Sequence, residues 1–202
     1  MAIRTVVIAS GNDGKLAEFE DMLGPRGFEV RPQSEFDVEQ PPETGKTFVE
    51  NALIKARTAA EAAGHAALGD DSGLVVRALR GRPGIYSSRF AGADAGDDDN
   101  IDKLVSELEG LPEARRGAYF YCCLVLLRHA DDPAPLIATG RWHGYILESR
   151  RGDGGFGYDP VFYDPDMGAT AAELPAGEKN RVSHRGRALD ALMEQIDDLP
   201  GI

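Results

Sequence analysis

The sequence predicts an α/β protein in which helices flank a mixed β-sheet. Apolar runs of strand length alternate with segments of helical periodicity along the 202 residues. A predicted hairpin, residues 118–127 and 136–145 across an Asp-Asp-Pro turn, lies among them and adds antiparallel strands to the sheet. No internal repeat or long linker divides the chain, so residues 1–202 are expected to form a single domain.

The first half of the chain alternates strands and helices. Leu16, Phe19 and Leu23 recur at helical spacing, and Thr47 followed three residues later by Glu50 is a capping box that begins a second helix. The predicted elements are strand 5–9, a helix ending at residue 24, strand 28–31, helix 48–63, strand 66–68, an acidic turn, strand 74–79, a glycine-rich connection over 81–96, and a helix capped by Asp99 or Asn100 that runs to residue 108.

The second half contains the strongest strand pattern, residues 118–127. Leu189, Leu192, Met193 and Ile196 form the apolar stripe of a final helix. The predicted elements are the hairpin, a loop rich in Gly and Arg, strand 161–163, a further loop and helix 184–196.

Composition excludes several classes of protein. The formal net charge is −12, and such a surface repels nucleic-acid polymers and anionic membranes. The longest apolar run, residues 119–127, is too short to span a bilayer, and no signal peptide is visible. Adjacent Cys122 and Cys123 suit neither a disulfide nor a tetrahedral metal site, so we expect buried thiols and a cytoplasmic protein.

Five segments carry candidate chemistry, and the first joins a strand to a helix. Ser10-Gly11-Asn12-Asp13-Gly14-Lys15 offers backbone N–H groups, glycines and a lysine, which can cradle phosphate. It is not a Walker A loop, because Leu16 stands where Ser or Thr should follow the lysine. A capped strand–helix turn without a ligand is the alternative.

The second segment is the helix after Thr47. Asn51 and Lys55, four residues apart, fall together on the border of its apolar face, where a side chain can reach a binding site. A lysine there can also simply extend along apolar surface to water.

The third segment is Asp70-Asp71-Ser72-Gly73, between two apolar strands. Adjacent carboxylates repel each other unless a cation relieves them, and Mg²⁺ prefers such oxygen ligands together with substrate phosphates. An ordinary Asp-Ser-Gly turn is the alternative. The other acidic run, Asp94 with residues 97–99, lacks the glycine of a calcium loop and is expected to be a solvated loop.

The fourth segment is the glycine loop, residues 151–160. Its glycines let the backbone approach a ligand and are expected to leave Phe156 and Tyr158 less shielded than core aromatics. An exposed ring can stack on a base, and Asp159 could accept a hydrogen bond from a base N–H. Core-directed aromatics on a plain loop are the alternative.

The fifth segment is a basic cluster, residues 179–187, near the start of the last helix. The helix dipole disfavours cations at that end, so a bound anion would resolve the conflict. A solvated basic face is the alternative.

Together these segments resemble the non-canonical purine NTP pyrophosphatase family, also called inosine triphosphate or dITP/XTP pyrophosphatases. Each motif alone is weak, but the set extends in order over almost the whole chain. The matching motifs are Ser-Gly-Asn-x-Gly-Lys at 10–15, Glu-Thr-Gly at 43–45, Phe-x-x-Asn-Ala-x-x-Lys-Ala at 48–56, Asp-Asp-Ser-Gly-Leu at 70–74, Gly-x-Pro-Gly-Ile-Tyr-Ser-x-Arg at 81–89, Gly-Phe-Gly-Tyr-Asp-Pro at 155–160 and Ser-His-Arg at 183–185.

The resemblance implies hydrolysis of a nucleoside triphosphate carrying hypoxanthine or xanthine between its α and β phosphates. It also implies a two-lobed α/β fold with a long mixed sheet and a cleft between the lobes, dependence on Mg²⁺, and a homodimer. The monophosphate and pyrophosphate would be the products.

The resemblance assigns roles residue by residue. Ser10, Gly11, Asn12, Asp13, Gly14, Lys15 and Lys55 would hold phosphates, and Asn51 would belong to the substrate site. Asp71 would accept a proton and bind metal, with Glu43 helping to hold the metal and Asp70 supporting. Ser72, Phe156, Gly157, Tyr158, Asp159, Lys179, His184 and Arg185 would contact the nucleotide, largely its base.

Two positions depart from the family pattern. Arg150 replaces a proline that often precedes Arg-Gly, and Ala169 stands where Lys commonly precedes Thr-x-Ala-Glu-Leu. Both lie outside the core motifs and affect only loop details. A nucleotide sensor without turnover is an alternative function, which the acidic pair with Lys15 and Lys55 disfavours. An enzyme of similar architecture for modified pyrimidine or methylated nucleotides is another, which the Ser-His-Arg motif disfavours.

Overall fold

The computed structural model of the chain describes residues 4–197. Its strands form one seven-stranded sheet in the order β2-β1-β3-β4-β5-β6-β7. β1 is parallel to β2 and β3, whereas β6 is antiparallel to β5 and β7, so the predicted mixed sheet flanked by helices is confirmed. The strands are β1 (Arg4–Ala9), β2 (Phe28–Pro32), β3 (Ala66–Val76), β4 (Gly117–Leu127), β5 (Leu136–Ile146), β6 (Phe162–Asp164) and β7 (Ala169–Thr170), and the helices are α1 (Asp13–Leu23), α2 (Phe48–Ala63), α3 (Asp97–Glu107), α4 (Ala176–Val182) and α5 (His184–Asp197).

The described chain divides into two compact units. Unit 1 comprises residues 4–71, 122–140 and 185–197, and unit 2 comprises Ser72–Tyr121 and Arg141–His184. The long strands β3, β4 and β5 each contribute residues to both units. Within residues 4–197, no helix combines the length and apolar character needed to cross a membrane.

Unit 1 buries helices against parallel strands. β1 pairs with β3 from Val6 opposite Ala66 to Ala9 opposite Gly69. Phe19 of α1 and Leu189 of α5 are fully buried in one apolar cluster with β-strand residues, as their helical spacing predicts. A second cluster joins the alanines of α2 to Val7.

Unit 2 is built around aromatic residues. Phe120, Trp142 and Phe162 lie with ring centroids 4.6–6.2 Å apart, and the Trp142 indole donates a 2.6 Å hydrogen bond to Asp164. Because the buried indole N–H has an acceptor, the ring adds apolar contact without an unsatisfied donor. This core supports α3 and the glycine loop.

The acidic segment in the middle of β3 corrects the sequence prediction. Residues 70–73 were expected to form a turn between two strands, but β3 runs without interruption through them. Adjacent residues of a strand point to opposite faces, so Asp70 and Asp71 each meet separate cations and do not repel across a turn. Because each carboxylate is paired with a cation, this acidic segment can lie in an extended strand. The acidic residues by themselves favour a turn.

The helix boundaries also differ from the predictions. α3 begins at Asp97 after Gly96, and Asp99 caps it by accepting a hydrogen bond from the Gly96 N–H at 2.9 Å. The predicted loop after β6 contains the short strand β7 and helix α4, and residues 81–96 include a 3-10 helix at Gly84–Arg89. Short elements of this kind depend on tertiary packing more than on their own periodicity.

The turn between β4 and β5 is held by one buried carboxylate. Asp132 accepts hydrogen bonds from the Arg128 backbone N–H (3.0 Å), the Arg128 Nε (2.8 Å) and Nη2 (2.5 Å) and the Ala134 N–H (3.0 Å). These hydrogen bonds lower the pKa of Asp132, and the bond from the Arg128 side chain contributes most. The carboxylate is therefore the form that the folded turn requires.

Asp132→Asn is expected to destabilise the protein by about 1–3 kcal/mol at pH 7, because several donors lose a charged acceptor. The folded pKa lies below the unfolded value of about 4, so this stabilisation exists above pH 4 and is lost as the pH falls further. Urea unfolding at pH 7 and pH 3 measures it, with the exposed neighbour Asp131→Asn as matched control. Equal unfolding free energies for the two variants at pH 7 would contradict the assignment.

Candidate active site

Charged side chains of unit 1 converge on Asp70 and Asp71, and we call this group the β3 ion cluster. Both carboxylates are buried, with 1% and 4% of their residues' surface exposed. A charge in such a place persists only when it is paired and hydrogen-bonded. The members of the cluster are Lys15, Glu18, Glu43, Asn51, Lys55, Asp70, Asp71, Cys122 and Arg185.

Asp70 is held on the face of β3 toward α1 and α5. Its Oδ1 lies 2.5 Å from Lys15 Nζ, and its Oδ2 accepts from Arg185 Nε at 2.8 Å and from Cys122 Sγ at 3.4 Å. Burial alone would raise the pKa of Asp70, but Arg185 and Lys15 outweigh burial and hold the pKa well below its usual range. Asp70 is thus a permanently ionised partner for two cations.

Asp71 faces α2, and its pKa shifts in the direction opposite to that of Asp70. Its Oδ1 lies 2.6 Å from Lys55 Nζ, and its Oδ2 accepts from Asn51 Nδ2 at 3.3 Å. Burial raises the pKa of Asp71, and Lys55 offsets that effect only in part. A carboxylate with a raised pKa accepts a proton more readily than an ordinary one.

Lys55 links Asp71 to a third carboxylate. Its Nζ lies 2.6 Å from Glu43 Oε1 as well as 2.6 Å from Asp71, and the lysine is 5% exposed. Burial would lower the pKa of Lys55, but Asp71 and Glu43 together raise it, so the side chain stays positively charged. The alternative that Lys55 merely reaches solvent along an apolar face is wrong.

Gly69 allows α2 to approach the acidic strand. A Cβ atom at Gly69 would lie 2.1 Å from the Ala52 carbonyl oxygen, far inside van der Waals contact. The absent side chain lets α2 lie directly on β3, one turn from Asn51 and Lys55. This glycine precedes the acidic pair and therefore sets the distance between Lys55 and Asp71.

The N-terminus of α1 carries the predicted phosphate cradle. Asn12 caps the helix by accepting a hydrogen bond from the Lys15 N–H at 2.9 Å, and Ser10 Oγ accepts from the Asn12 N–H at 3.2 Å. The helix dipole favours an anion at this end, and Lys15 reaches from the first turn to Asp70. The cradle and the β3 ion cluster therefore share Lys15.

The arrangement around Lys55 fits a divalent cation. Glu43 and Asp71 both direct a carboxylate oxygen to the same ammonium group, so two hard oxygen donors already surround one positive charge. Within residues 4–197, no group of three or more His, Cys, Asp or Glu side chains is placed to hold a metal on its own. Two carboxylates completed by substrate phosphates are the usual way in which proteins bind Mg²⁺.

Unit 2 contains a second group, the glycine-loop cluster of Phe156, Asp159 and Lys179. Asp159 Oδ2 accepts from the Phe156 N–H at 3.0 Å and from Lys179 Nζ at 2.7 Å. Lys179 Nζ also lies 4.7 Å from the centroid of the half-buried Phe156 ring. Asp159 thus fixes both the loop backbone and the lysine, and the position of Lys179 over the ring is a cation–π contact.

Gly155 makes the bend of this loop. Its φ is +74°, and a Cβ there would lie 2.0 Å from Asp159 Oδ2. A side chain at position 155 would therefore displace the carboxylate that holds Lys179.

Tyr158 departs from the expectation that both loop aromatics are poorly shielded. It is 4% exposed, belongs to the core of unit 2 and donates a 2.8 Å hydrogen bond to the Ser87 carbonyl. Tyr158 packs into the apolar core of unit 2, where its buried hydroxyl requires an acceptor. Only Phe156 has the exposure expected of a stacking ring.

The basic cluster of residues 179–187 divides between the two units. His184 is buried in unit 2 and stacks on Phe120 at 4.8 Å, whereas Arg185 of unit 1 bonds Asp70 through Nε and Glu18 through Nη1. Carboxylates of the chain therefore compensate Arg185 at the start of α5, and a bound anion is not needed for that purpose. The contacts described for Arg185 lie in the β3 ion cluster, although the resemblance implied contact with a base.

The predicted site residues fall into two sets. Ser72 follows Asp71 directly on β3 and is half-buried. Unit 1 contains Ser10, Gly11, Asn12, Asp13, Gly14, Lys15, Glu43, Asn51, Lys55, Asp70, Asp71 and Arg185, and unit 2 contains Ser72, Phe156, Gly157, Tyr158, Asp159, Lys179 and His184.

Sequence reasoning missed several residues of these clusters. Glu18 stands three residues after Lys15 on α1, so helical spacing could have placed both on one face. Nothing in the sequence pairs Cys122 with Asp70 or Phe120 with His184, because each contact joins segments more than 50 residues apart.

Comparison with known proteins agrees with the motifs. The model of the Ham1 family matches residues 6–195. A dITP/XTP pyrophosphatase of Halorhodospira halophila is 56% identical over 191 residues, 95% of this chain and 96% of that protein. One from Vibrio parahaemolyticus is 50% identical over 194 residues, 96% of this chain and 97% of that protein.

A solved structure shares the fold over the same length. The HAM1 protein from Coxiella burnetii superposes with a TM-score of 0.88 at 47% sequence identity, covering 98% of this chain and all of that one. The resemblance that the ordered motifs indicate is thereby confirmed. With a family match and identities of this size over nearly the full length, the chain belongs to the Ham1 family.

Proposed function

We propose that the protein hydrolyses non-canonical purine nucleoside triphosphates (ITP, dITP and XTP) to the monophosphate and pyrophosphate. The observation that carries this proposal is the shared lysine: Asp71 and Glu43 both direct carboxylates to Lys55, and the adjacent Asp70 is paired with Lys15 of α1. Relatives of the same length are named dITP/XTP pyrophosphatases, which supports the substrate class. Removal of such nucleotides would keep them out of DNA and RNA.

The residues of the β3 ion cluster would act on the phosphates. A water oxygen attacks the α-phosphorus, Asp71 accepts its proton, and the bond from the α-phosphorus to the bridging oxygen breaks to release pyrophosphate. Lys15 and Lys55 would neutralise charge on the leaving pyrophosphate, since phosphoryl chemistry depends mainly on positioning and electrostatics. Asp70 and Arg185 would keep Lys15 in place.

Glu43 and Asp71 would hold a divalent cation, which we propose to be Mg²⁺. When bound with the phosphates, the ion would supply charge neutralisation and raise the acidity of water. Lys55 would stay paired with Glu43 and Asp71, the two carboxylates that would hold the ion.

The glycine-loop cluster would recognise the base. Phe156 offers a half-buried ring for stacking, which accepts any base. Lys179, fixed by Asp159, would donate a hydrogen bond to a 6-oxo group, whereas adenine presents an amino donor at that position. A mismatch of donors in a buried site costs orders of magnitude in kcat/KM.

Assembly and location stay predictions. The homodimer that the resemblance implies and the cytoplasmic location suggested by two buried free thiols, Cys122 and Cys123, belong to this proposal. Neither affects the roles assigned to the two clusters.

The proposal is tested by product analysis. The protein is incubated with Mg²⁺ and, separately, with ITP, XTP, ATP, GTP and dTTP. Pyrophosphate should be released from ITP and XTP, with kcat/KM at least about 100-fold above that for ATP. Chelation of the metal should stop turnover, and its return should restore it. Orthophosphate as the first product, or no turnover of any purine triphosphate, would rule the function out.

A further inference from the structure

The acidic run, which the sequence predicts to be a solvated loop leading into a helix cap, is exposed at the start of α3 and also contacts the glycine loop. Asp97 Oδ2 accepts a hydrogen bond from the Gly157 N–H at 2.7 Å. A charged acceptor at this distance makes a stronger bond than a neutral one. The run is therefore part of the support of the loop that carries Phe156.

The bond acts on the peptide group next to the stacking ring. The Gly157 N–H belongs to the peptide that begins at the Phe156 carbonyl, so its direction helps to set the orientation of the Phe156 backbone. Gly157 has φ +58°, a left-handed conformation that glycine adopts without strain. On its other side, Phe156 donates its own N–H to Asp159. Two carboxylates thus hold the two peptide groups that flank one ring.

Asp97 is itself held in place by the first turn of α3. Asn100 is 2% exposed, accepts from the Ala91 N–H at 2.8 Å and donates to the Ser88 carbonyl at 3.1 Å. The neighbouring Ser87 carbonyl accepts the Tyr158 hydroxyl. The loop is consequently fixed to α3 directly, through Asp97, and indirectly, through residues 87–91.

Arg150 adds a second contact between the same helix and the start of the loop. Its Nη2 lies 2.8 Å from Asp102 Oδ1 and 3.3 Å from Asp98 Oδ1. These three side chains are exposed, so the pairs contribute little stability. Arg150 thus connects the loop to α3 on the N-terminal side of Phe156, and Asp97 connects it on the C-terminal side.

We propose that Asp97 is a positioning residue for base recognition, which orients Phe156 by holding the Phe156–Gly157 peptide. The inference rests on the proposed function, because it takes Phe156 as the base-stacking ring. Asp97 acts through the loop backbone and takes no part in the phosphate chemistry. Loss of the bond would free the Phe156–Gly157 peptide, and fixing that peptide would then become a cost of binding the base, which weakens binding.

The test compares a base-bearing ligand with a phosphate-only ligand. Dissociation constants for inosine monophosphate and for inorganic tripolyphosphate are measured by calorimetry on wild type, Asp97→Ala, Asp97→Asn and Asp94→Ala, with KM and kcat for ITP. Asp94 is the matched control, an exposed acid of the same run. Melting temperatures show whether each variant is folded.

Asp97→Ala should weaken the binding of inosine monophosphate about 3- to 10-fold and raise KM for ITP by a similar factor. The kcat should stay within about twofold of wild type. Tripolyphosphate binding should not change, Asp97→Asn should be intermediate because its amide oxygen still accepts, and Asp94→Ala should match wild type. Equal weakening of both ligands, or no change relative to Asp94→Ala, overturns the positioning role. If the wild type binds inosine monophosphate but does not turn over ITP, only the proposed function is contradicted. If the wild type does not bind inosine monophosphate, both the proposed function and the positioning role of Asp97 are overturned.

Discussion

Asp71→Asn is expected to lower kcat/KM for ITP by about 10²–10⁴-fold. The amide keeps the shape of the side chain and its contact with Asn51, but it cannot accept the proton of the attacking water and is a poor metal ligand. Burial raises the pKa of Asp71, so the folded protein tolerates the charge at a cost. The change also leaves the buried Lys55 with Glu43 as its remaining carboxylate partner, so we expect a moderate loss of melting temperature when both proteins are measured without divalent metal.

Steady-state kinetics with ITP and thermal melting separate the two effects. Asp21→Asn supplies the control, because it removes an exposed carboxylate from the same helix α1 while the phosphate-binding segment and the β3 ion cluster stay intact. The control should retain turnover within a few-fold of wild type. Near-normal kcat/KM in Asp71→Asn would refute the assigned role, and a large loss of melting temperature would show instead that Asp71 is structural.

Arg185→Met is expected to destabilise the protein by about 3–5 kcal/mol, the usual cost of removing one partner from a buried ion pair. Arg185 is 1% exposed and bonds both Asp70 and Glu18, so methionine would leave the buried Asp70 carboxylate with less compensation. Turnover should also fall, because Asp70 holds Lys15.

Denaturant unfolding at pH 7 measures this loss. Arg187→Met makes the same change at an exposed position of α5 and should cost less than about 1 kcal/mol. Adding Asp70→Asn to Arg185→Met removes the buried carboxylate that the first change leaves without its arginine, and should recover part of the lost stability. If the two arginine variants unfold at the same denaturant concentration, Arg185 does not stabilise the cluster.

Local patterns predicted the elements whose signals are local. The Thr47–Glu50 capping box, the helical spacing of Phe19 and Leu23, and the apolar run of β4 each correspond to an observed element. The Asp70-Asp71 turn was wrong, and α4 and β7 were missed. In those places the backbone conformation depends on partners distant in sequence: Arg185, 115 residues from Asp70, helps to keep an acidic segment extended.

In the candidate site, too, local patterns predicted some features, and contacts between distant segments decided others. Ordered motifs predict that Lys55, Asp71 and Phe156 carry chemistry, which stays a prediction, and the family that the motifs indicate is confirmed. The spacing of Asn51 and Lys55 placed both on one side of α2, and Asp71 is in fact bonded by both. The resemblance assigned different roles to Asp70 and Asp71, but the residue types alone give no physical reason for the difference, since both are aspartates in the same motif.

The sequence by itself determined an acidic α/β protein of one family, with the cations of its candidate site in a few short motifs. Tertiary structure decided how each charge is used. Asp70, between Lys15 and Arg185, is held ionised, whereas Asp71, buried beside Lys55, has a raised pKa. The physical reason is that a strand sends adjacent side chains to opposite faces, where different helices supply different partners.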